Sequence, residues 1–178
     1  MKKVSSTLFI SLDGVAEAPE KWQFEEDFDD SIIQEWIVPD AVLLGRRTYQ
    51  EWADYWPKST EEPFASFINK APKYVASTTL DSVDWDNTTL IKGNLSEELT
   101  KLKSQPGGTI GVQGSPTLVR SLVQEDLLDE LVLIVHPVIA GKGKRLFDDD
   151  GDLKRLKLAD SRITGSGIAV LTYQPRRG

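Results

Sequence analysis

The stretch AVLLGRRTYQEW, residues 41–52, decides how the chain is read. Ala41, Val42, Leu43 and Leu44 form an apolar run of strand type, Gly45 makes a turn, and Arg46, Arg47 and Thr48 open a helix. A strand that ends on glycine and passes into a helix gathers free backbone N–H groups at one point, together with the positive end of the helix dipole. Two guanidinium groups at the same place add planar forks that match phosphate oxygens. This is the chemistry of a phosphate turn. The same residues also fit a buried strand followed by a solvated helix start whose arginines pair with carboxylates.

A second segment, VQGSPTL at residues 112–118, repeats the pattern. Val112 belongs to a strand end, Gly114 lets a ligand approach the backbone, Ser115 is expected to cap a helix, and Pro116 takes an early helical position ahead of Thr117 and Leu118. Ligands of open α/β sheets sit outside the carboxyl ends of the strands. A pyrophosphate between two helix N-termini suits a dinucleotide. The chain has no Gly-x-Gly-x-x-Gly fingerprint, so the ordinary Rossmann reading fails.

Hydrophobic periodicity predicts strands over 3–10, 41–44, 73–77, 88–91, 109–112, 129–136, 153–163 and 168–173. Helices are predicted over 27–38, from 46 onward, and over 63–69, 95–104 and 117–123. Asp29 and Asp30 are both candidates to cap the first helix. Strand and helix alternate until the end, where two strands follow one another around Gly165-Ser166-Gly167. This pattern predicts a mainly parallel sheet with helices on both faces and an antiparallel final strand.

The 178 residues suit one domain over 1–178, without linker or repeat. Zero cysteines exclude disulfides and thiolate chemistry, and a single histidine argues against a metal site. A net charge of −7 argues against general nucleic-acid binding, so an anionic ligand needs a local cluster such as Arg46 and Arg47. No run is long enough to cross a membrane and no secretory pattern follows Met1, which makes a cytoplasmic protein the expectation.

Further motifs occur in order: Ser11-Leu12-Asp13-Gly14, Leu44-Gly45-Arg46-Arg47-Thr48-Tyr49, Ser77-Thr78-Thr79-Leu80, Gly114-Ser115-Pro116-Thr117-Leu118, Asp129-Glu130-Leu131, and His136-Pro137 running through Gly141-Lys142-Gly143-Lys144 to Phe147. With this set the chain resembles the dihydrofolate reductase-like superfamily. It is most similar to the branch related to the C-terminal reductase domain of bifunctional riboflavin biosynthesis enzymes. The resemblance implies a three-layer α/β/α fold with a mixed, mainly parallel eight-stranded sheet, and NADPH as hydride donor. By position it implies that Arg46 meets the adenosine 2′-phosphate, with Ser77 and Thr78 beside that phosphate and the adenine. Gly45, Arg47 and Thr48 then reach the pyrophosphate from one side, and Val112, Gly114, Ser115, Pro116, Thr117 and Leu118 from the other. Leu12 to Val15 border the nicotinamide.

Two departures from the family pattern stand out. Residues 22–27, WQFEED, lack the proline of the Trp-x-x-Pro-x-Asp context of dihydrofolate reductase. Gln113 stands where riboflavin-pathway reductases carry an acidic residue, and these residues contain none of the zinc-ligand cysteines of the deaminase domain. The reading is an NADPH-dependent reductase of a small heterocyclic substrate, such as a 5-amino-6-(5-phosphoribosylamino)uracil-like compound, acting as a homodimer. The alternatives are an NADP(H)-binding protein without turnover, such as a redox sensor, and a phosphate-sugar binding module.

Asp13 is the candidate catalytic residue: it would orient the substrate or supply a proton through water, or else form an Asx-turn with Gly14. His136, ending an apolar strand, reads as a satisfied core histidine before a proton donor. Trp22, Phe24, Trp52, Tyr55 and Trp56 offer flat surfaces for a substrate, or core and interface contacts. Lys142, Lys144 and Arg145 read as a solvated loop before a site for a substrate phosphate, and Asp148-Asp149-Asp150 as a solvated turn.

Overall fold

In the computed structural model, which describes residues 1–148 and 151–176, the residues from Ala41 to Leu44 are all buried. A strand covered on both faces requires helices on both sides of its sheet. The elements that supply them are β1 (Lys3–Ile10), α1 (Asp30–Ile37), β2 (Ala41–Gly45), α2 (Arg46–Tyr55), α3 (Phe64–Lys70), β3 (Lys73–Ala76), β4 (Thr88–Ile91), α4 (Leu95–Lys103), β5 (Thr109–Gln113), α5 (Pro116–Gln124), β6 (Glu130–Val135), β7 (Leu156–Ile163) and β8 (Ala169–Pro175). The eight strands form one sheet in the order β4-β3-β2-β5-β1-β6-β8-β7. The first six pair in parallel, and β8 runs antiparallel to both β6 and β7. This is the three-layer, dihydrofolate reductase-like architecture, with its antiparallel final strand.

Alternation along each strand sorts the side chains into two layers. Val4, Leu8, Leu43, Ile110, Val112 and Leu131 pack with Leu99 of α4 and Val119 and Leu122 of α5 on one face. On the other, Val42, Leu44 and Val75 pack with Tyr49 of α2 and Ile68 of α3. Farther along that second face, Val132, Ile134 and Val170 pack with Ile32 of α1. No helix among the described residues is long and apolar enough to cross a membrane.

Element boundaries differ from the sequence reading for local reasons. The helix predicted over 27–38 begins only at Asp30, because Glu25–Asp27 curls into a separate 3-10 turn. Asp29 is the cap, accepting from Ser31 N at 2.9 Å and Ile32 N at 3.3 Å. The strand predicted over 153–163 begins at Leu156, since β7 is an edge strand paired only with β8. Of the predicted acidic turn, Asp148 is exposed and pairs with Arg120, while Asp149 and Asp150 lie outside the described residues.

Candidate functional site

Adjacency of β2 and β5 brings their carboxyl ends, Gly45 and Gln113, side by side, with α2 and α5 leaving on opposite faces. The two turns are bonded to one another. Gly45 N donates to Ser115 Oγ at 2.9 Å, while Ser115 N and Ser115 Oγ donate to Thr48 Oγ1 at 3.1 Å and 2.8 Å. A hydroxyl has one hydrogen and two lone pairs. Both lone pairs of Thr48 Oγ1 are taken, so its hydrogen is left to donate away from the turns.

This geometry changes the expected roles of three residues. Ser115 does not cap α5: it sits in the left-handed region at φ 52°, and its hydroxyl is spent on the first turn instead. Gly45 N–H is therefore not a free donor. A Cβ on Gly114, at φ +58°, would stand 2.8 Å from Thr48 Cγ2, so the close approach that requires glycine is to Thr48. Gly45 has the same constraint, with Ser115 Oγ 2.9 Å from its virtual Cβ.

No side chain caps α2 or α5. The main-chain N–H groups of Arg46, Arg47 and Thr48, and of Thr117 and Leu118, face out of the two helix starts, where the dipoles favour an anion. Arg46 and Arg47 are exposed; Arg47 pairs with Glu51 at 3.5 Å, whereas Arg46 has no ion pair among the described residues. Pairing of β2 with β3 sets Ala76 against Gly45, so Ser77 and Thr78 follow one strand over from Arg46. Thr78 is exposed, and the Ser77 hydroxyl accepts from Thr79 N at 3.2 Å and Leu80 N at 3.1 Å, shaping that turn. Val112 is fully buried in the core, so its side chain lines no surface.

On the other side of β5 lies the end of β1. Leu12 is 66% exposed and presents an apolar side chain at the carboxyl edge, while Val15 is buried. Asp13 is a latch for the segment that follows β6. Its carboxylate accepts from Ser11 Oγ at 2.5 Å, Ala140 N at 2.9 Å and Gly141 N at 2.9 Å. These bonds, that from Ser11 first, lower its pKa to about 2. A carboxylate held this way has no proton to give near neutrality. Instead of an Asx-turn, the carboxylate makes these long-range bonds and Ser11 closes the local turn, its Oγ accepting from Val15 N at 2.9 Å; Arg145 Nε adds a bond to Asp13 O at 3.0 Å.

Between α1 and the sheet the same edge carries an aromatic layer. Phe9 stacks on Trp36 with centroids 4.9 Å apart and meets His136 at 5.4 Å. Trp22 and Phe28 approach His136 at 5.5 Å and 5.6 Å. Gln113, 1% exposed, donates from Nε2 to Trp36 O at 2.6 Å. Trp22 thus joins the site region. Trp52 and Trp56 pack with Phe64 over β2 and β3 instead, and Phe24 and Tyr55 are exposed. Sequence reasoning used Gln113 only as a departure from a motif and read His136 as satisfied. The available signal was a polar side chain ending each of two apolar strands. Among the described residues no acidic or histidine cluster suits a metal ion.

Comparison with known proteins shows the family and the fold. The profile described as the RibD C-terminal domain matches residues 2–170. An uncharacterised Bacillus subtilis protein, YyaP, is 34% identical over 138 residues, covering 75% of this chain and 73% of that protein. A putative riboflavin biosynthesis protein from Shewanella superposes with a TM-score of 0.77 at 19% identity, covering 98% of this chain and 99% of that one. A Thermotoga maritima diaminohydroxyphosphoribosylaminopyrimidine deaminase/5-amino-6-(5-phosphoribosylamino)uracil reductase superposes with a TM-score of 0.68 at 15% identity. That match covers 98% of this chain and 57% of the Thermotoga chain.

Proposed function

The chain belongs to the RibD C-terminal domain family, and from that membership we propose that it is an NADPH-dependent reductase of a small heterocyclic molecule of the 5-amino-6-(5-phosphoribosylamino)uracil type. The observation that carries the proposal is the pair of uncapped helix starts, bonded together through Gly45, Thr48 and Ser115. Their donors fit a pyrophosphate: outward N–H groups on two helices and the Thr48 hydroxyl hydrogen. Arg46, without a competing carboxylate among the described residues, fits a 2′-phosphate. Bound NADPH supplies the hydride.

The protein's own contribution is placement. Arg46, Ser77 and Thr78 hold the adenosine end, and Arg47, Thr48 and the second turn hold the pyrophosphate. Leu12 offers apolar surface to the nicotinamide. Asp13 is a positioning residue that keeps the segment after β6 against the end of β1. Alignment of hydride donor and acceptor in this way accounts for most of the rate such a site can supply. Asp13 is not the proton source near neutrality, given a pKa of about 2.

The test has two stages. NADPH should raise the melting temperature of the protein. Its nicotinamide absorbance should then fall only when a heterocyclic substrate, first 5-amino-6-(5-phosphoribosylamino)uracil, is added. Binding without oxidation by any heterocycle would support the non-catalytic alternative, and absence of NADPH binding would overturn both.

A further inference from the structure

Three cations crowd into four residues of the segment after β6: Lys142, Lys144 and Arg145. All three are exposed, and none has an ion pair among the described residues. The carboxylates bonded to this segment, Asp13 and Glu17, are spent on the main-chain N–H groups of Ala140, Gly141 and Lys144. The chain as a whole carries −7, so the loop is a local positive field on an acidic background.

The loop is also built to hold a shape. Leu12 N donates to Val138 O at 2.7 Å, Ala16 N to Lys144 O at 3.0 Å and Leu146 N to Gly14 O at 2.9 Å, which fastens both of its ends to the segment after β1. A Cβ on Gly143 would stand 2.8 Å from Val15 Cγ1, so the tip is pressed on the same segment. Gly141 and Gly143 take left-handed φ values of 73° and 108°. Residues of this kind turn successive N–H groups toward one side, the geometry of an anion-binding nest. Two of these groups, on Ala140 and Gly141, already hold the Asp13 carboxylate. The next two, on Lys142 and Gly143, have no acceptor among the described residues.

Placement points to the substrate rather than the cofactor. The paired turns follow β2 and β5, whereas this loop follows β6 and lies on the end of β1, on the far side of the edge assigned to the nicotinamide. Leu12 and Ile139, 66% and 74% exposed, add apolar surface there. Arg145 Nε donates to Asp13 O at 3.0 Å, which keeps its guanidinium beside Leu12. Apolar surface next to unpaired cations suits a molecule with a flat body and an anionic end.

We propose that residues 141–145 hold a phosphate carried by the substrate, with Lys142, Lys144, Arg145 and the main-chain N–H groups of Lys142 and Gly143 as donors, while the heterocycle lies toward Leu12 and Ile139. The inference rests on the reductase reading and assigns the residues that select a phosphorylated substrate.

The test uses NADPH-saturated protein, its 15N amide spectrum and two probes, ribose 5-phosphate and ribose. Ribose 5-phosphate should shift the Lys142 and Gly143 signals saturably, and ribose should not. Lys142→Ala with Lys144→Ala, which keeps both glycines and the Asp13 latch, should weaken that binding by about tenfold or more, the scale of one charge-assisted hydrogen bond. Lys101→Ala, an exposed lysine of α4, should not weaken it. NADPH affinity of the double variant should match wild type. 5-Amino-6-(5-phosphoribosylamino)uracil should bind wild type about tenfold more tightly than its dephosphorylated form, and the double variant should lose that difference. Unmoved loop amides, an equal response to ribose, full affinity in the double variant, or an equal loss in Lys101→Ala would overturn the inference and leave the reductase reading intact. So would a uracil that binds no more tightly with its phosphate than without it. Loss of NADPH affinity in the double variant would overturn it by giving the loop to the cofactor. Failure of wild type to bind NADPH is instead the failure of the reductase reading, and the inference falls with it.

Discussion

Thr48 Oγ1 accepts from both the main-chain N–H and the hydroxyl of Ser115, and its methyl group sits where a Cβ on Gly114 would go. Gly114→Val therefore acts through Thr48. The branched side chain must either leave the left-handed region, whose cost is roughly 1–2 kcal/mol for a residue with a Cβ, or push Thr48 aside. A lower melting temperature is expected, together with a smaller NADPH-induced rise, because the displaced hydroxyl no longer faces the pyrophosphate. A mutant that melts lower yet shows the wild-type NADPH shift would remove this turn from the cofactor site. Arg46 is a simpler case, being exposed and without an ion pair among the described residues. Arg46→Ala should weaken NADPH by about 1.5–3 kcal/mol, the value of a charge-assisted hydrogen bond, and leave NADH nearly unchanged. Equal losses for both cofactors would show that Arg46 does not read the 2′-phosphate.

At the scale of elements, the segment between β6 and β7 is fastened to the end of β1 by Asp13. The pKa of that carboxylate is lowered in the folded protein from 3.8 to about 2, with Ser11 Oγ the first cause and the Ala140 and Gly141 amides next. The unfolded chain therefore binds the proton more readily, and the latch contributes fully above about pH 4. Its contribution disappears as pH falls through the folded value of about 2. Hydrogen exchange at Ala140 and Gly141 should accelerate over that acid range, beyond the intrinsic pH dependence of exchange. Asp13→Asn, which cannot titrate, should exchange faster near neutrality and lose the acid step. Protection that is the same in both proteins would show that the latch does not hold the segment.

The same element shows what a sequence can and cannot carry. Val42 to Leu44 and Ile110 to Val112 announce buried strands by composition, and the glycine after each marks a turn, so the fold and the two helix starts are legible. That Ser115 would face the first turn rather than its own helix depends on a left-handed backbone and a neighbour 67 residues away. The partners of Asp13 lie 127 and 128 residues on, and no local pattern encodes them. His136 is legible as buried, but its missing partner is a property of the packed layer.

For the whole molecule, β7 closes the sheet as an edge strand with Leu158 and Ile163 exposed at 49% and 68%. Long edges with apolar side chains are normally covered, and a second copy of the chain across a two-fold axis is the expected cover. Light scattering should give a dimer mass at micromolar concentration, and Leu158→Lys with Ile163→Lys should convert it to monomer. A monomer in wild type would contradict this assembly.

The paired turns at the ends of β2 and β5 are the proposed site for NADP(H). Calorimetric titration of the unmodified protein with NADPH and then with NADH tests it most directly. One NADPH per chain is expected, with an NADH affinity weaker by about tenfold or more, the equivalent of at least 1.4 kcal/mol. Absence of NADPH binding, or equal affinity for the two nucleotides, would contradict it.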